Sequence, residues 1–316
     1  MLNFKSAKIL LTGGHGFVGK KVYAELLVAG AKKQSIIRPR SKDLDLRDPK
    51  NSAKAAKGMD LVIHLAANVG GIGYNREHPG ALFYDNAVMG INLIEAARCA
   101  SVKKFVQVGT VCAYPKFPEH VPFMESDLWK GYPEETNAPY GLAKLMLSEM
   151  IQAYHKEYGF NGIYLLPTNL YGPGDNFDPK SSHVIPALIK KFVEAVNTNV
   201  KEVVVWGTGK ASREFLYVDD AARAIVLAAI KYSKPEPVNI GSNNEVKIKE
   251  LVSLIAKAAG FKGKIIWDKT KPDGQPRRKL NVSRAKKEFG FVSRVSFQDG
   301  LKQTVEWYIK NSKLIN

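Results

Sequence analysis

Tyr140 and Lys144 stand four residues apart, so on a helix they share one face and the ammonium lies beside the phenol. A cation there lowers the phenol pKa and lets the tyrosine exchange a proton near neutrality. With 47 Lys+Arg and 13 tyrosines in the chain, such a pair arises readily by accident, and its weight comes from its place. Upstream, the apolar run Phe105-Val106-Gln107-Val108 ends in Gly109-Thr110-Val111-Cys112. If that run is a strand, Thr110 presents a hydroxyl at the carboxyl edge of a sheet, where ligands bind in open α/β folds. Thr110, Tyr140 and Lys144 then form a hydroxyl, an acid and a cation around a carbonyl.

A second chemistry-bearing run is Gly13-Gly14-His15-Gly16-Phe17-Val18-Gly19, directly after the apolar run Ala7-Lys8-Ile9-Leu10-Leu11. Gly13, Gly16 and Gly19 have the spacing of a dinucleotide turn, in which backbone amides at a helix N-terminus face a pyrophosphate that side chains would block. At the end of the second strand, Ile37-Arg38-Pro39-Arg40-Ser41 stands where a carboxylate would select NAD. Arg38 and Arg40 can instead hold the extra phosphate of NADP by charge-assisted hydrogen bonds. Two alternatives remain open there: a solvated basic turn, or a ribose contact from Asp43 or Asp45.

These residues need a scaffold, and the N-terminal half reads as alternating strands and helices of a doubly wound parallel sheet. Further apolar runs are Ser35-Ile36-Ile37, Leu61-Val62-Ile63-His64-Leu65 and Ile163-Tyr164-Leu165-Leu166, with helices expected over 86–100 and 140–158. Runs without alternation imply burial on both sheet faces. After Pro167, Gly172-Pro173-Gly174 and Asp178-Pro179 break the pattern before a helix at about 184–195. The expected fold is an α/β protein: a Rossmann domain over 1–170 with a returning segment at about 213–241. A smaller mixed α/β substrate domain takes 171–212 and 242–316.

The formal net charge of +17 favours capture of ligands with several phosphates. The lysines are scattered, and no nucleic-acid motif interleaves them with stacking aromatics, so nucleic acid is not an expected partner. No stretch approaches the roughly 20 uncharged residues of a membrane span, and a cytoplasmic protein is expected. The two cysteines, Cys99 and Cys112, are too few for a disulfide framework and lack zinc spacing. No metal site is expected. Cys99 reads as helix core, His64 and His15 as structural, and Trp206 either as packing or as a ligand contact.

The resemblance to known proteins rests on longer segments. They are His64-Leu65-Ala66-Ala67-Asn68-Val69-Gly70-Gly71-Ile72, Cys112-Ala113-Tyr114-Pro115, Pro167-Thr168-Asn169-Leu170-Tyr171-Gly172-Pro173 and Asp175-Asn176-Phe177. To these add Ser182-His183-Val184-Ile185-Pro186-Ala187-Leu188, Val205-Trp206-Gly207-Thr208-Gly209, Arg213-Glu214-Phe215-Leu216 and Lys271-Pro272-Asp273-Gly274. In these segments the chain resembles the GDP-L-fucose synthases, epimerase/reductases of the extended short-chain dehydrogenase/reductase superfamily. The resemblance implies 3,5-epimerisation and NADPH-dependent 4-reduction of GDP-4-keto-6-deoxy-D-mannose in one site, by a homodimer.

It also implies residue roles: Cys112 as base and His183 as acid in epimerisation, Tyr140 as proton donor to the carbon-4 oxygen, Thr110 holding that oxygen, and Lys144 supporting tyrosine and ribose. Implied NADP(H) contacts are Gly13, Gly16, Phe17, Val18, Gly19, Arg38, Arg40, Ala66, Ala67, Tyr140, Lys144, Pro167, Asn169, Leu170 and His183. Implied contacts to the GDP-linked sugar are Asn169, Val184, Lys191, Trp206, Arg213 and Arg278. The chain departs from the family in Thr110-Val111 for two serines, Asn68 for a lysine and Lys191 for an arginine. A reductase of a related GDP-keto sugar, such as a colitose or 6-deoxy-heptose precursor, is the nearest alternative. A dinucleotide-sensing regulator is the non-enzyme alternative.

Overall fold

A computed structural model describes residues 3–178, 180–271 and 273–315, with side chains to residue 312. Pro179 and Pro272, which belong to two of the segments above, lie outside the described residues. The chain begins β1 (Ile9–Thr12), α1 (Phe17–Val28), β2 (Ile36–Ile37), α2 (Pro49–Ala56), β3 (Leu61–His64), α3 (Ile72–Glu77) and α4 (Pro79–Cys99). It continues β4 (Lys104–Val108), α5 (Ala138–Tyr158), β5 (Gly162–Pro167), β6 (Asn169–Tyr171), α6 (Val184–Asn197), β7 (Glu202–Trp206) and β8 (Ser212–Tyr217). Then follow α7 (Val218–Lys231), β9 (Val238–Ile240), β10 (Glu245–Lys247), α8 (Ile248–Ala258), β11 (Lys264–Asp268), β12 (Arg277–Arg278), α9 (Ser283–Phe289) and α10 (Phe297–Ile315).

Six strands form one parallel sheet in the order β2-β1-β3-β4-β5-β9. Its central strands are apolar and buried because helices cover both faces. On one face, Ile9, Leu11 and Ile63 pack with Val22 and Leu26 of α1 and Ile225 of α7. On the other, Leu10, Val62 and Phe105 pack with Leu93 of α4 and Leu147 of α5. A Cβ at Gly90 would stand 2.2 Å from Leu147, so this glycine sets how closely α4 and α5 approach. From β1 the chain moves first to β2 on one side and then to β3 on the other. The carboxyl ends of β1 and β3 therefore open a crevice at a topological switch point.

A third core joins Ile189 and Phe192 of α6, Phe215 and Tyr217 of β8, Leu251 and Ile255 of α8, and Tyr308 of α10. Residues 213–217, expected with the returning helix, are instead β8 of a smaller sheet with β6, β10 and β12. Their residues alternate less cleanly than those of β7, and strand pairing, not periodicity, decides their place. Cys99, expected in a helix core, is exposed. It ends α4 on the outward face, where its thiol donates to Glu95 one turn earlier, 3.2 Å away. Among the described residues no helix is long and apolar enough to cross a membrane.

Candidate active site

The glycine turn is shaped by backbone contact. Gly13 has φ +66°, and a Cβ there would lie 2.8 Å from the Ala66 amide nitrogen at the end of β3. A Cβ at Gly19 would lie 2.1 Å from the Gly13 carbonyl oxygen, so only glycine lets α1 start this close to the turn. Gly16 caps α1 without a side chain, leaving the first helical amides open to an anion. Behind the turn, Thr12 Oγ1 and His64 Nδ1 lie 2.7 Å apart, and Oγ1 accepts from the Ala66 amide at 3.3 Å. His64 is buried and its pKa falls well below the ordinary histidine value, first through desolvation and then through the Lys144 charge. It is a neutral structural histidine, as its place beside Leu65 suggested. His15 Nε2 meets the Arg38 carbonyl at 2.9 Å and ties the glycine turn to the end of β2.

A cleft of about 780 Å³ opens from this turn. It is lined by Gly13, Gly16, Phe17, Val18, Gly19, Arg40, Ala66, Ala67, Thr110, Cys112, Tyr140, Lys144, Pro167, Asn169, Leu170 and His183. Residues from the ends of β1, β3, β4 and β5, the start of α5 and the approach to α6 thus share one cavity. The cradle fits a dinucleotide: open amides at a helix start, glycines where the backbone must come close, and a cation just past β2 at the rim. That cation is Arg40. Arg38 turns back over the Tyr23 ring, with its guanidinium carbon 3.5 Å from the ring centroid, and is not among the lining residues.

Thr110 caps a short helical turn, and its Oγ1 accepts from the Cys112 amide at 3.1 Å, which fixes hydroxyl and thiol relative to each other. A Cβ at Gly141 would stand 2.3 Å from the Cys112 carbonyl oxygen, so α5 can press Tyr140 against this turn. The Tyr164 hydroxyl donates to the Lys144 carbonyl at 2.9 Å and anchors the same helix from below.

The electrostatics differ from the expectation for Tyr140. Burial pushes its phenol above the ordinary range, Cys112 adds to this, and the hydrogen bond with Thr110 opposes it. Desolvation outweighs the Thr110 hydrogen bond, and burial brings Lys144 down to about 8. Tyr140 therefore stays protonated at neutrality and has a proton to give, beside an ammonium still mostly charged at pH 7. His183, at the start of α6, faces the open cleft, and the desolvation there lowers its pKa.

Arg213 and Arg278 are register partners on the parallel strands β8 and β12. Burial lowers Arg213 to about 10, and the neighbouring Arg278 charge adds to this while Asp273 opposes it. Arg278 donates to Gln275 Oε1 at 3.0 Å and brings a guanidinium nitrogen within 4.0 Å of Cys112 Sγ. Two crowded guanidinium groups are a site for an anion. Lys191 and Trp206 lie apart from the cleft, on the exposed side of β7. The Lys191 ammonium donates to the Val204 carbonyl, and Lys271 Nζ lies 5.8 Å from the Trp206 ring centroid. Val184 is exposed at the first position of α6.

The family model for the NAD dependent epimerase/dehydratase family matches residues 9–241. The chain belongs to this family. It is 41% identical over 309 residues to a probable GDP-L-fucose synthase 1 of Oryza sativa subsp. japonica, covering 97% of this chain and 93% of that one. It is 37% identical over 315 residues to the GDP-L-fucose synthase of Escherichia coli K12, covering 96% and 97% of the two chains. The crystal structure of a GDP-L-fucose synthetase from Naegleria fowleri bound to NADP matches with a TM-score of 0.87 at 29% identity, over 99% of this chain and 97% of that one. The family resemblance read from the sequence is borne out.

Within this family member, the cleft also takes in Asn75, Asn137 and Asp175, which the sequence reading gave no role. Asp175 stood only as a mark of resemblance in Asp175-Asn176-Phe177. The signal that could have singled it out is a carboxylate between a Gly-Pro-Gly turn and an apolar aromatic. Asn75 carries no such signal.

Proposed function

We propose that this chain converts GDP-4-keto-6-deoxy-D-mannose to GDP-L-fucose by 3,5-epimerisation followed by NADPH-dependent reduction at carbon 4. The observation that carries the reading is the meeting of Thr110, Tyr140 and Lys144 with Cys112 and His183 in one cleft beside the glycine turn. The first three serve carbonyl reduction, and the last two give an epimerase its base and acid. Bound NADPH supplies the hydride for carbon 4.

The 4-keto group acidifies carbons 3 and 5. At each carbon Cys112 takes the proton as thiolate and His183 delivers one to the opposite face as imidazolium, and between the two rounds the thiol releases its proton to solvent and the imidazole takes one up. The lowered pKa makes the His183 imidazolium a stronger acid and reduces its share at neutral pH. Tyr140 then gives its phenolic proton to the carbon-4 oxygen, which Thr110 holds by hydrogen bond, while the Lys144 ammonium stabilises the phenolate left behind. Arg213 and Arg278 bind the diphosphate, Lys191 and Trp206 hold the nucleoside end, and Arg40 takes the 2′-phosphate of NADPH. The nucleotide end of the substrate thus rests on the smaller unit, 171–212 and 242–316 together with β8, while NADP(H) and the reacting sugar carbons meet the residues of 1–170. The exposed apolar Tyr84 and Ile91 of α4 and Tyr158 of α5 support a homodimer through these two helices. The two free thiols fit a cytoplasmic location.

The test is turnover of GDP-4-keto-6-deoxy-D-mannose with NADPH or NADH, followed by absorbance, with the product identified by NMR. GDP-L-fucose formed preferentially with NADPH is the expected result. Consumption of NADPH with carbon 3 or 5 unchanged in configuration would make the chain a reductase of a related GDP-keto sugar.

A further inference from the structure

Among the described residues, five buried side-chain polar atoms have no hydrogen-bond partner in the protein: His64 Nε2, Asn75 Oδ1, Gln107 Oε1, Asp175 Oδ2 and Ser182 Oγ. Buried polar atoms are almost always paired, so their distribution is informative. Asn75 and Asp175 line the cleft, and Ser182 sits between Ser181 and His183, which line it too. These residues belong to two segments that touch. The Gly71 amide donates to the Ser181 carbonyl at 2.8 Å, and the Gly71 carbonyl accepts from the Asn75 amide at 3.0 Å. The start of α3 and the residues 175–178 and 180–183 are therefore one wall.

Both side chains are held in place. Asn75 Nδ2 donates to Asn137 Oδ1 at 3.1 Å, three residues before Tyr140, which leaves the other end of its amide free. Asp175 Oδ1 accepts from the Asn176 amide at 2.7 Å. The loop closes on itself through Asn176 Nδ2 to Ser181 Oγ at 2.8 Å and Ser181 Oγ to Asp178 Oδ2 at 3.0 Å. Burial pushes the Asp175 carboxyl up to about 7, partly opposed by that Asn176 bond. A carboxyl oxygen fixed in a cleft without a protein donor costs free energy unless a ligand completes it. A phosphate repels the carboxyl whenever it is ionised, and the paired guanidinium groups of Arg213 and Arg278 offer an anion a better place. A neutral hydroxyl, which can donate or accept, suits the carboxyl in either state.

We propose that Asp175 Oδ2, with the free end of the Asn75 amide, forms a hydroxyl-recognition subsite in which Asp175 accepts a hydrogen bond from a hexose hydroxyl on carbon 2 or 3. This rests on the functional reading above and makes Asp175 a specificity-determining residue within it. A site built to bond a hydroxyl rejects the analogue that lacks it, because its own polar groups are then left unpaired.

The experiment compares the unaltered chain with Asp175→Asn, Asp175→Ala and Asn75→Ala on GDP-4-keto-6-deoxy-D-mannose and on its 2-deoxy and 3-deoxy analogues. NADPH and GDP affinities are measured alongside. With the full sugar, kcat/KM falls about 10–100-fold in the Asp175 variants, as expected for one charge-assisted hydrogen bond, and less in Asn75→Ala. With the analogue lacking the bonded hydroxyl, the variants and the unaltered chain agree within about threefold, because that bond is absent from both. Equal losses on all three sugars overturn the subsite, as does an unchanged kcat/KM. A matching loss of NADPH affinity assigns Asp175 to the cofactor and overturns it as well. If the unaltered chain neither binds GDP nor turns over the keto-sugar, the functional reading itself falls, and the subsite with it.

Discussion

The dinucleotide turn at one end of the cleft is made of backbone, whereas the wall around Asp175 and the nearby arginine pair are made of side chains. At the first, Gly13 and Gly19 pack with no room for a Cβ, and the amides of α1 are left free for a ligand. At the second, Asp175 and Asn75 hold unpaired polar atoms, and Arg213 lies beside Arg278. The first keeps its shape by backbone packing that needs no ligand. The second carries crowded like charges and buried groups without partners, which a ligand would complete. A family can therefore keep one dinucleotide cradle and vary its sugars by changing side chains on loops around it.

Three substitutions test this division. Tyr140 stands at the seam, and Tyr140→Phe should lower the rate of reduction on the order of 10³-fold, as for loss of a general acid. GDP and NADPH affinities should stay within about twofold, and a comparable fall in either would show that Tyr140 holds a ligand and does not only transfer a proton. Gly19→Ala should weaken NADPH binding about 10–100-fold, since the new methyl must displace the Gly13 carbonyl. GDP affinity measured by calorimetry should not move; if it does, the two ends are coupled and the division fails.

The smallest effect is on stability. The Asp175 carboxyl titrates at about 7 in the fold, against about 3.9 in an unfolded chain. Below about pH 4 both states are protonated and the burial penalty is absent. Between about 4 and 7 the fold holds a proton that the unfolded chain releases, so stability falls as pH rises, and above 7 the penalty is fully present. Asp175→Asn should accordingly raise the melting temperature by roughly 2–4 °C at pH 8 and leave it unchanged near pH 4. A gain of the same size at both pH values would mean that the charge of Asp175 is not the cause.

The backbone end was largely legible in the sequence. Gly13, Gly16 and Gly19 after a short apolar run have few other uses, because glycine sterics and helix-start geometry act within a few residues. The apolar runs of β3, β4 and β5 likewise announced a sheet covered on both faces. Tyr140 and Lys144 were legible only through their distance from Thr110 along the chain. Less legible was the conformation of charged side chains: Arg38 and Arg40 read alike in sequence, yet one stacks on Tyr23 and the other lines the cleft. The direction of the Tyr140 pKa was also hidden, since helical spacing reports the neighbouring lysine but not the depth of burial, which sets that direction.

The sequence by itself determined the local devices: where strands and helices start, where only glycine fits, and which side chains can donate or accept a proton. Tertiary structure alone decided which of them meet. Arg278 comes within 4.0 Å of Cys112 Sγ because β12 lies in register beside β8. Asn75 and Asp175 share a wall because the Gly71 amide finds the Ser181 carbonyl. Such contacts join residues about a hundred or more positions apart, and no short-range preference encodes them; they follow from the burial of three cores that fold the chain back on itself.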